Sequence, residues 1–255
     1  MDTDAPLVSM IIPTYNEEKR IIKTLQEIIQ HIDEFPGPVE IIVVDDGSTD
    51  KTRELIYEFS SAIPCLKLIE NCHSGKAYTL RTGFLSARGK YSVQVDADLS
   101  TPLSDINQLI DTVSNGYDIA LGVREGRHGA PSYRVLMSLI WRILVLSLLR
   151  GRFKDTQCGF KAYKTEAIQS ILKSTILYTT PETSLTSARV TAASDIEILF
   201  LALKMKYQIA SVPVEWRHAN NSKLNAISDS LQAFIDLLKI HWYSFSGAYN
   251  LPDKE

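Results

Sequence analysis

Two apolar runs in the first half of the chain each end in a short acidic segment. The run 39–44 leads into Asp45–Asp46, and the run 91–95 leads into Asp96–Asp98. Burying a strand that ends in carboxylates costs free energy unless a metal, a hydrogen-bond donor or water compensates the charge. The two segments therefore predict that buried strands end at the mouth of a site.

The first hundred residues alternate between short apolar runs and segments whose apolar residues follow helical spacing. This alternation predicts a βαβαβ order, and hence a mostly parallel sheet with right-handed crossovers. Ligands of such sheets bind beyond the carboxyl ends of the strands, so we expect the loops at Tyr15, Asp46 and Asp98 to share one edge. The predicted strands are 8–13, 39–44, 66–69 and 91–95, and the helices between them are 21–32, one that ends near 61, and 75–88.

The second half of the chain has less regular patterns. A mobile loop over the site is expected at 178–193, which is rich in Thr and Ser and has no periodicity. No linker is sharp enough to divide the chain, so one domain is expected. The remaining predicted strands are 117–123, 158–163 and 209–216, and the remaining predicted helices are 101–115, 135–149, 195–206 and 226–245.

The composition limits the kinds of partner. The 255 residues are 45% hydrophobic, which is enough for a large core, and the formal net charge is -3. A mildly acidic chain argues against nucleic acid as a partner. The three cysteines include no CxxC pair and residues 1–6 show no secretory leader, which favours a reducing compartment.

Membrane contact is predicted to be peripheral at most. No apolar run reaches the length of about 18 to 20 residues that spans a bilayer. The closest is 135–149, which Arg142 interrupts. This segment is either a buried helix of the core or an interfacial helix whose flanking arginines face lipid phosphates. The sequence leaves both interpretations open.

The second acidic segment has the spacing of a metal site. In an extended backbone, Asp96 and Asp98 lie on one face, where two carboxylates can hold one hard divalent cation. Such a cation would bridge a diphosphate and stabilise the charge that develops on it as a leaving group. The alternative is a turn at the strand end in which Asp98 caps the next helix.

The first acidic segment and the loop near Tyr15 suggest contacts with a nucleoside. Asp45–Gly47 favours a turn and Ser48 or Asp50 can cap the next helix. This uses one or two of the three carboxylates and leaves one able to accept hydrogen bonds from a base or a ribose. Tyr15 offers a ring that can stack on a base, and Glu17 a carboxylate for the ribose. The alternative for Glu17 is a simple preference for a helix N-terminus.

Several known motifs are missing from the sequence. It contains no GxGxxG or P-loop, which argues against dinucleotide binding and ATP hydrolysis, and no HExxH or GxSxG, which leaves hydrolases without support. His218 follows the predicted strand 209–216 and is a candidate for contact with the diphosphate or the metal. The alternative for His218 is an ordinary structural or solvated histidine.

Together, these motifs resemble family 2 inverting glycosyltransferases of the GT-A fold. The resemblance is closest to the branch that glycosylates dolichyl or other polyprenyl phosphates, and within it to the glucosyltransferases. The segments that carry it are Ile11–Glu17, Val43–Asp50, Gly75–Lys76, Val95–Asp98, Asp155–Lys161, Val212–Trp216 and Ser222–Lys223.

The resemblance implies an α/β fold with a mostly parallel central sheet flanked by helices, and a lobe on the acceptor side. It divides the single domain 1–255 into a nucleotide-sugar-binding half, about 1–123, and an acceptor-binding half, about 124–255. The implied donor-binding residues are Pro13, Tyr15, Glu17, Asp45, Asp46, Gly47, Lys76, Asp96 and Ala97, with Asp96, Asp98 and His218 as candidate metal ligands. The implied catalytic residues are Arg124, Arg134, Asp155 and Asp195.

Two of these roles depend on the acceptor. Asp195 falls where many relatives carry the carboxylate that activates a hydroxyl acceptor, whereas a lipid phosphate is already an anionic nucleophile and needs no base. With such an acceptor, Asp195 is expected to orient the acceptor or its basic partners. Arg124 and Arg134 are then expected to pair with the acceptor phosphate.

The resemblance implies transfer of a hexose, with UDP-glucose as the favoured donor, to dolichyl or polyprenyl phosphate. A divalent cation, Mg²⁺ or Mn²⁺, is the implied cofactor, and the implied location is the cytoplasmic face of a membrane, as a peripheral protein. Three alternatives remain: a mannosyltransferase that uses GDP-mannose, a transferase that acts on a saccharide hydroxyl, and a noncatalytic subunit that binds nucleotide sugars.

Overall fold

The computed structural model describes residues 5–124, 145–149, 153, 155–156, 158–181, 192–215 and 226–251. Its strands are β1 (Val8–Thr14), β2 (Val39–Asp45), β3 (Leu66–Glu70), β4 (Tyr91–Gln94), β5 (Ile119–Arg124), β6 (Lys161–Lys164) and β7 (Ile209–Val214). Its helices are α1 (Ile21–Gln30), α2 (Thr52–Ser60), α3 (Lys76–Ser86), α4 (Ser104–Ser114), α5 (Thr165–Ser174), α6 (Ala192–Lys204) and α7 (Ala226–Ser246). A short 3-10 turn covers Ile32–Glu34, and residues 145–149 are helical.

The seven strands form one sheet in the order β3-β2-β1-β4-β6-β5-β7. Every strand pair is parallel except the two made by β6, which runs antiparallel to both β4 and β5. The predicted mostly parallel sheet is confirmed. The chain builds outward from β1 through β2 to β3 and then returns to place β4 on the other side of β1. Ligands of α/β sheets bind at such a reversal, beyond the carboxyl ends of the strands.

The antiparallel β6 brings the second half of the chain to the same edge. Its first residue, Lys161, lies opposite Gln94 near the end of β4 and opposite Leu121 in β5. The residues that precede β6 therefore lie where the parallel strands end. This is the edge at which the sequence placed its candidate site.

Helices cover both faces of the sheet. Alternate residues of β1 point to opposite faces, as the pleat requires: Met10 and Ile12 belong to one apolar cluster and Ile11 to the other. The first cluster includes buried residues of α1, α2 and α4, and the second includes those of α3, α5, α6 and α7. The core is therefore two apolar layers that share one sheet.

Most of the predicted elements are present, with two differences. Helix α5 was missed, although its buried residues Ala167, Ile168, Ile171 and Leu172 follow helical spacing. The strand predicted to begin at Cys158 begins at Lys161, but pairing continues one residue earlier, because Gly122 N donates to Phe160 O over 3.0 Å. Helix α5 follows β6 without a turn segment, so no loop signal separates the two elements.

Two predicted segments lie partly outside the described residues. Of the predicted helix 135–149, residues 145–149 are helical, and Val145, Leu148 and Leu149 are buried in the second cluster. The last two residues of the predicted loop 178–193 belong to helix α6, which begins at Ala192. At the start of the loop, Tyr178 donates a hydrogen bond to Asp236 of α7. No helix in the described part of the chain is long and apolar enough to span a bilayer.

Gly83 sets how closely α3 packs on the sheet. A Cβ atom at this position would lie 2.4 Å from Ile11 Cγ2 and 3.1 Å from Val44 Cγ2. We expect Gly83→Ala to lower the free energy of unfolding by about 1–3 kcal/mol, because overpacking outweighs the better helix propensity of alanine. Urea unfolding followed by circular dichroism measures the change.

The control for Gly83→Ala is Leu85→Ala, which shortens an exposed side chain of the same helix. Surface substitutions of this kind change stability by about 0.5 kcal/mol or less. Equal stability of Gly83→Ala and the wild-type protein would show that α3 does not need this close approach.

Candidate active site

Hydrogen bonds between loops hold the carboxyl edge of the sheet together. The loop after β1 joins the loop after β2, since Asn16 N donates to Ser48 Oγ over 2.8 Å and Glu17 N to Thr52 Oγ1 over 2.7 Å. In return, Asn16 Oδ1 accepts from Thr49 N over 2.8 Å. The two loops form one unit, as expected from their place at the same sheet edge.

Asp45 shapes the turn after β2. Its side chain has no exposed surface, and it accepts hydrogen bonds from Ser48 N over 2.8 Å and from the Ser48 hydroxyl. Burial raises the pKa of Asp45, while the two bonds from Ser48 act in the opposite direction. The turn interpretation is correct for this residue. Its predicted place among the donor-binding residues remains a prediction.

Asp46 organises the loop that leads into α3. Its buried carboxylate accepts hydrogen bonds from Ser74 N over 2.8 Å and Gly75 N over 2.9 Å, and contacts His73 Nδ1 at 2.8 Å. These contacts fix the residues directly before Lys76, the first residue of α3. The role predicted for Asp46 at the nucleoside remains a prediction.

His73 is a site residue that the sequence analysis missed. Its imidazole stacks on the Tyr15 ring with centroids 4.2 Å apart and planes 6° apart. Gly47 makes room for it, because a Cβ atom there would lie 2.7 Å from His73 N. Tyr15 therefore already has one aromatic partner. Nothing in the sequence around His73 signals this contact, which joins loops that are far apart along the chain.

Lys76 carries its charge into the second acidic segment. Its ammonium Nζ lies 2.5 Å from Asp96 Oδ1. Burial lowers the pKa of Lys76, but the negative charges of Asp96, Asp195 and Asp98 raise it above its usual value. Lys76 is therefore protonated at neutral pH, and Asp96 is its direct ionic partner.

Asp96 and Asp98 lie in different environments. Asp96 is half-buried, and its Oδ2 would lie 1.9 Å from a Cβ atom at position 159, so only Gly159 fits against it. Asp98 is exposed, and its Oδ1 accepts a hydrogen bond from Ser100 N over 3.0 Å. No cation of the described residues lies within ion-pair distance of Asp98.

Arg124 and Asp155 form a two-pronged ion pair. Arg124 Nε donates to Asp155 Oδ2 over 2.7 Å, and Nη2 donates to Oδ1 over 2.9 Å. The hydrogen bond to Asp155 raises the pKa of Arg124 further, although burial opposes it. The pair ties the end of β5 to the segment before β6. The contact predicted between Arg124 and an acceptor phosphate remains a prediction.

Asp195 lies in the first turn of α6 and has an unexpected partner. Lys161 Nζ lies 2.7 Å from Asp195 Oδ1, and the lysine side chain is 2% exposed against 20% for the aspartate. Lys161 closes the segment Asp155–Lys161, but no role was predicted for it from the sequence. Arg134 and His218, which were also predicted at the site, lie outside the described residues.

Comparison with known proteins gives the family. The profile of glycosyl transferase family 2 matches residues 9–172. The chain belongs to glycosyl transferase family 2. A dolichyl-phosphate beta-glucosyltransferase of Dictyostelium discoideum is 32% identical over 96% of this chain and 76% of its own length. Those of Homo sapiens and Saccharomyces cerevisiae are each 30% identical, over 98% and 97% of this chain and 79% and 78% of their own lengths.

Solved structures agree on the fold. Glucosyl-3-phosphoglycerate synthase from Mycobacterium tuberculosis, in complex with Mn²⁺, UDP-glucose and phosphoglyceric acid, aligns with a TM-score of 0.64 at 21% identity. The alignment covers 98% of this chain and 82% of that one. The same enzyme with Mg²⁺ and UDP gives a TM-score of 0.65 at 21% identity. The α/β GT-A fold expected from the resemblance is confirmed.

The acidic segment of this family 2 chain fits a divalent cation only in part. Asp98 offers an exposed carboxylate, while one oxygen of Asp96 is already paired with Lys76. The described residues contain no group of three or more His, Cys, Asp or Glu side chains arranged to hold a metal. A cation bound here would take its remaining oxygen ligands from a diphosphate and from water, as Mg²⁺ commonly does.

Glu197 is a second residue that the sequence analysis passed over. It is buried on α6 and accepts hydrogen bonds from Ile176 N over 3.0 Å and from Tyr249 Oη over 3.0 Å. Burial raises the pKa of Glu197 to about 7, although these hydrogen bonds lower it. Glu197 therefore joins the segment after α5 to the residues after α7, and its ionisation affects both connections.

We expect Glu197 to make the protein less stable as the pH rises from about 5 to 8. An unfolded glutamate ionises near 4.5 and Glu197 in the fold near 7, so between these values the folded chain holds a proton that the unfolded chain has released. Its contribution is complete below pH 4.5 and is lost as the pH rises through 7. The full loss is about 3 kcal/mol.

Urea unfolding at several pH values, on wild type and Glu197→Gln, measures this loss, because the neutral amide has no proton to release. The difference in stability between the two proteins should change across the range. Glu166→Gln, an exposed glutamate on α5, should keep the wild-type pH dependence. Parallel curves for wild type and Glu197→Gln would contradict the prediction.

Proposed function

We propose that this family 2 enzyme transfers glucose from UDP-glucose to dolichyl phosphate, with inversion at the anomeric carbon. The observation that carries the proposal is the match, over nearly the whole chain, to dolichyl-phosphate beta-glucosyltransferases from several organisms. The geometry of the site supports it. Both halves of the chain supply strands to the same sheet, so one domain serves both substrates. The proposed donor contacts lie in about 1–123, and the proposed acceptor contacts lie in about 124–255.

The charges at the sheet edge suit a donor with a diphosphate. Three cations, Lys76, Arg124 and Lys161, each pair with one carboxylate, and Asp98 remains exposed as a fourth negative group. A divalent cation held by Asp98 and Asp96 would supply Lewis-acid stabilisation to the diphosphate. The cofactor we propose is therefore Mg²⁺ or Mn²⁺.

Lys76 is placed to stabilise the leaving group. Its ammonium lies at the N-terminus of α3, where the helix dipole adds partial positive charge. Because its pKa is raised by the surrounding carboxylates, it stays charged at neutral pH. Both charges favour the UDP anion that forms when the bond to glucose breaks. Tyr15 and Glu17, on the loop after β1, remain the proposed contacts of the nucleoside.

The acceptor we propose needs no general base. A phosphate monoester is ionised at neutral pH, so one of its oxygens can attack the anomeric carbon in a single in-line displacement. Arg124, with its pair Asp155, is the proposed contact of this phosphate among the described residues, and Arg134 is a further candidate. The displacement inverts the anomeric carbon, because nucleophile and leaving group occupy opposite faces.

A lipid acceptor requires contact with a membrane. Helix α7 exposes Ile235, Leu238, Trp242 and Phe245, which fall on one helical face, with Trp242 66% and Phe245 88% exposed. Aromatic and aliphatic side chains in this arrangement suit the boundary between lipid head groups and acyl chains. We place the protein on the cytoplasmic face of a membrane, where nucleotide sugars and free thiols are both expected.

The proposal is tested by transfer from labelled UDP-glucose to dolichyl phosphate in detergent, with label counted in the organic phase. Wild-type protein with Mg²⁺ or Mn²⁺ should give lipid-linked glucose, and a chelator should abolish it. Asp98→Asn should lower the rate about a hundredfold or more, because it removes a carboxylate ligand of the divalent cation that is proposed to bind the diphosphate.

Asp111→Asn is the matched control, since Asp111 is an exposed aspartate on α4, away from the sheet edge. It should transfer at the wild-type rate. GDP-mannose in a parallel reaction tests the donor, and label in the organic phase from GDP-mannose alone would replace the proposed donor. Donor binding without label in any lipid fraction would remove dolichyl phosphate as the acceptor.

A further inference from the structure

Lys161 has an unusual environment for a lysine. Its side chain is 2% exposed, although lysine is almost never fully buried without a partner. Its ammonium lies 2.7 Å from Asp195 Oδ1, at angles outside those of a hydrogen bond, and no described residue accepts a hydrogen bond from it. Asp195 is thus its one ionic partner among the described residues.

The pair joins strand β6 to helix α6. Lys161 is the first residue of β6, where it lies opposite Gln94 of β4. Asp195 is in the first turn of α6, and the two side chains meet between the sheet and this helix. Gln94, Asp195 and Glu197 line one cleft beside α3. The lysine side chain is buried, and the aspartate is partly exposed.

The Lys161 ammonium fixes the position of the Asp195 carboxylate. Separating a buried ion pair is strongly unfavourable, because the buried charge would be left with neither water nor a partner, so the two side chains stay together. A carboxylate has more acceptor positions than one cation occupies, so Asp195, which is 20% exposed, can still accept hydrogen bonds from a ligand.

The ligand group that fits Asp195 follows from its charge. The diphosphate of the donor and the phosphate of the acceptor are anions and are repelled by a carboxylate, whereas the glucose carries hydroxyl groups that donate. The partner of Asp195, Lys161, follows Gly159 by two residues, and Gly159 packs directly on Asp96, which places Asp195 beside the expected position of the diphosphate. The sugar is the part of the donor attached at that point.

We propose that Lys161 is a positioning residue that holds Asp195 as a fixed carboxylate, and that this carboxylate accepts hydrogen bonds from the hydroxyl groups of the transferred sugar. The inference rests on the proposed donor, UDP-glucose. It gives Asp195 a role in recognising the sugar, and it gives the buried lysine a role that acts only through Asp195.

The test compares the affinities of UDP-glucose and UDP by calorimetry in the presence of Mg²⁺, without any acceptor. Lys161→Met and Asp195→Asn should each weaken UDP-glucose binding by about tenfold to a hundredfold, the range of a hydrogen bond to a charged group. UDP should bind each variant within about twofold of wild type, because UDP has no sugar. Lys161→Arg, which keeps the charge, should recover most of the lost affinity.

The double variant Lys161→Met/Asp195→Asn shows whether the lysine acts through the aspartate. It should bind UDP-glucose no more weakly than Asp195→Asn alone. If Lys161 acts only through the Asp195 carboxylate, replacing Lys161 has no further effect on binding once that carboxylate is gone. Circular dichroism and thermal melting establish that each variant folds. Asp195→Asn leaves the Lys161 ammonium without its counter-ion, so if it or Lys161→Met does not fold, the double variant, which removes both charges, is compared with wild type: UDP-glucose should bind more weakly, and UDP within about twofold.

Lys164→Met is the matched control. Lys164 is at the other end of β6, and its Nζ pairs with Asp118 Oδ1 over 2.9 Å, away from the cleft. It should bind both ligands as wild type does. Equal weakening of UDP and UDP-glucose in Lys161→Met, or additive losses in the double variant, would overturn the proposal.

The outcome for Lys161 can be separated from the outcome for the acceptor. A wild-type protein that binds UDP-glucose but transfers nothing to dolichyl phosphate would remove the proposed acceptor, while the binding comparison would still decide the role of Lys161. A wild-type protein that binds UDP-glucose no more tightly than UDP, with all variants unchanged, would overturn the role of Lys161 even if transfer to the lipid is seen.

Discussion

The structure depends on one constraint: the negative charges of the carboxylates at the carboxyl edge of the sheet must be compensated. Asp45 is held by Ser48, and Asp46 by the backbone N–H groups of Ser74 and Gly75. Three further carboxylates are paired with cations: Asp96 with Lys76, Asp155 with Arg124 and Asp195 with Lys161, while Asp98 stays exposed. Apart from the turn at Asp45, each of these contacts also joins two separate segments, so the loops are fixed by the same contacts that offset the cost of burying charge.

The antiparallel strand β6 makes the site a product of both halves of the chain. A parallel strand in its place would carry residues 158–160 to the opposite edge, far from Asp96. Because β6 runs antiparallel, Gly159 packs on Asp96, and Lys161, the first residue of β6, pairs with Asp195 of α6. Parallel strands and their loops build the proposed donor side, and this single reversal brings in the proposed acceptor side.

Local patterns carried most of the fold, and contacts between distant segments carried the rest. Apolar periodicity and acidic strand ends located β1 to β4 and the edge at which their loops meet, because those signals lie within a few residues of one another. The stacking of Tyr15 on His73 and the pairing of Lys161 with Asp195 join residues that are far apart along the chain. A sequence shows the residue types of such pairs without showing their distance, and β6 carries no local mark of its direction.

The absence of a side chain at position 159 has a consequence for how the enzyme can change. With Asp96 filling the space where a Cβ atom would stand, the backbone before β6, which belongs to the proposed acceptor half, and Asp96 of the proposed donor site rest directly on each other. Neither this backbone nor Asp96 can shift without displacing the other. A substitution that alters the preference for the acceptor by moving this backbone will therefore also alter the binding of the donor. The two specificities must be adjusted together, in evolution as in the laboratory.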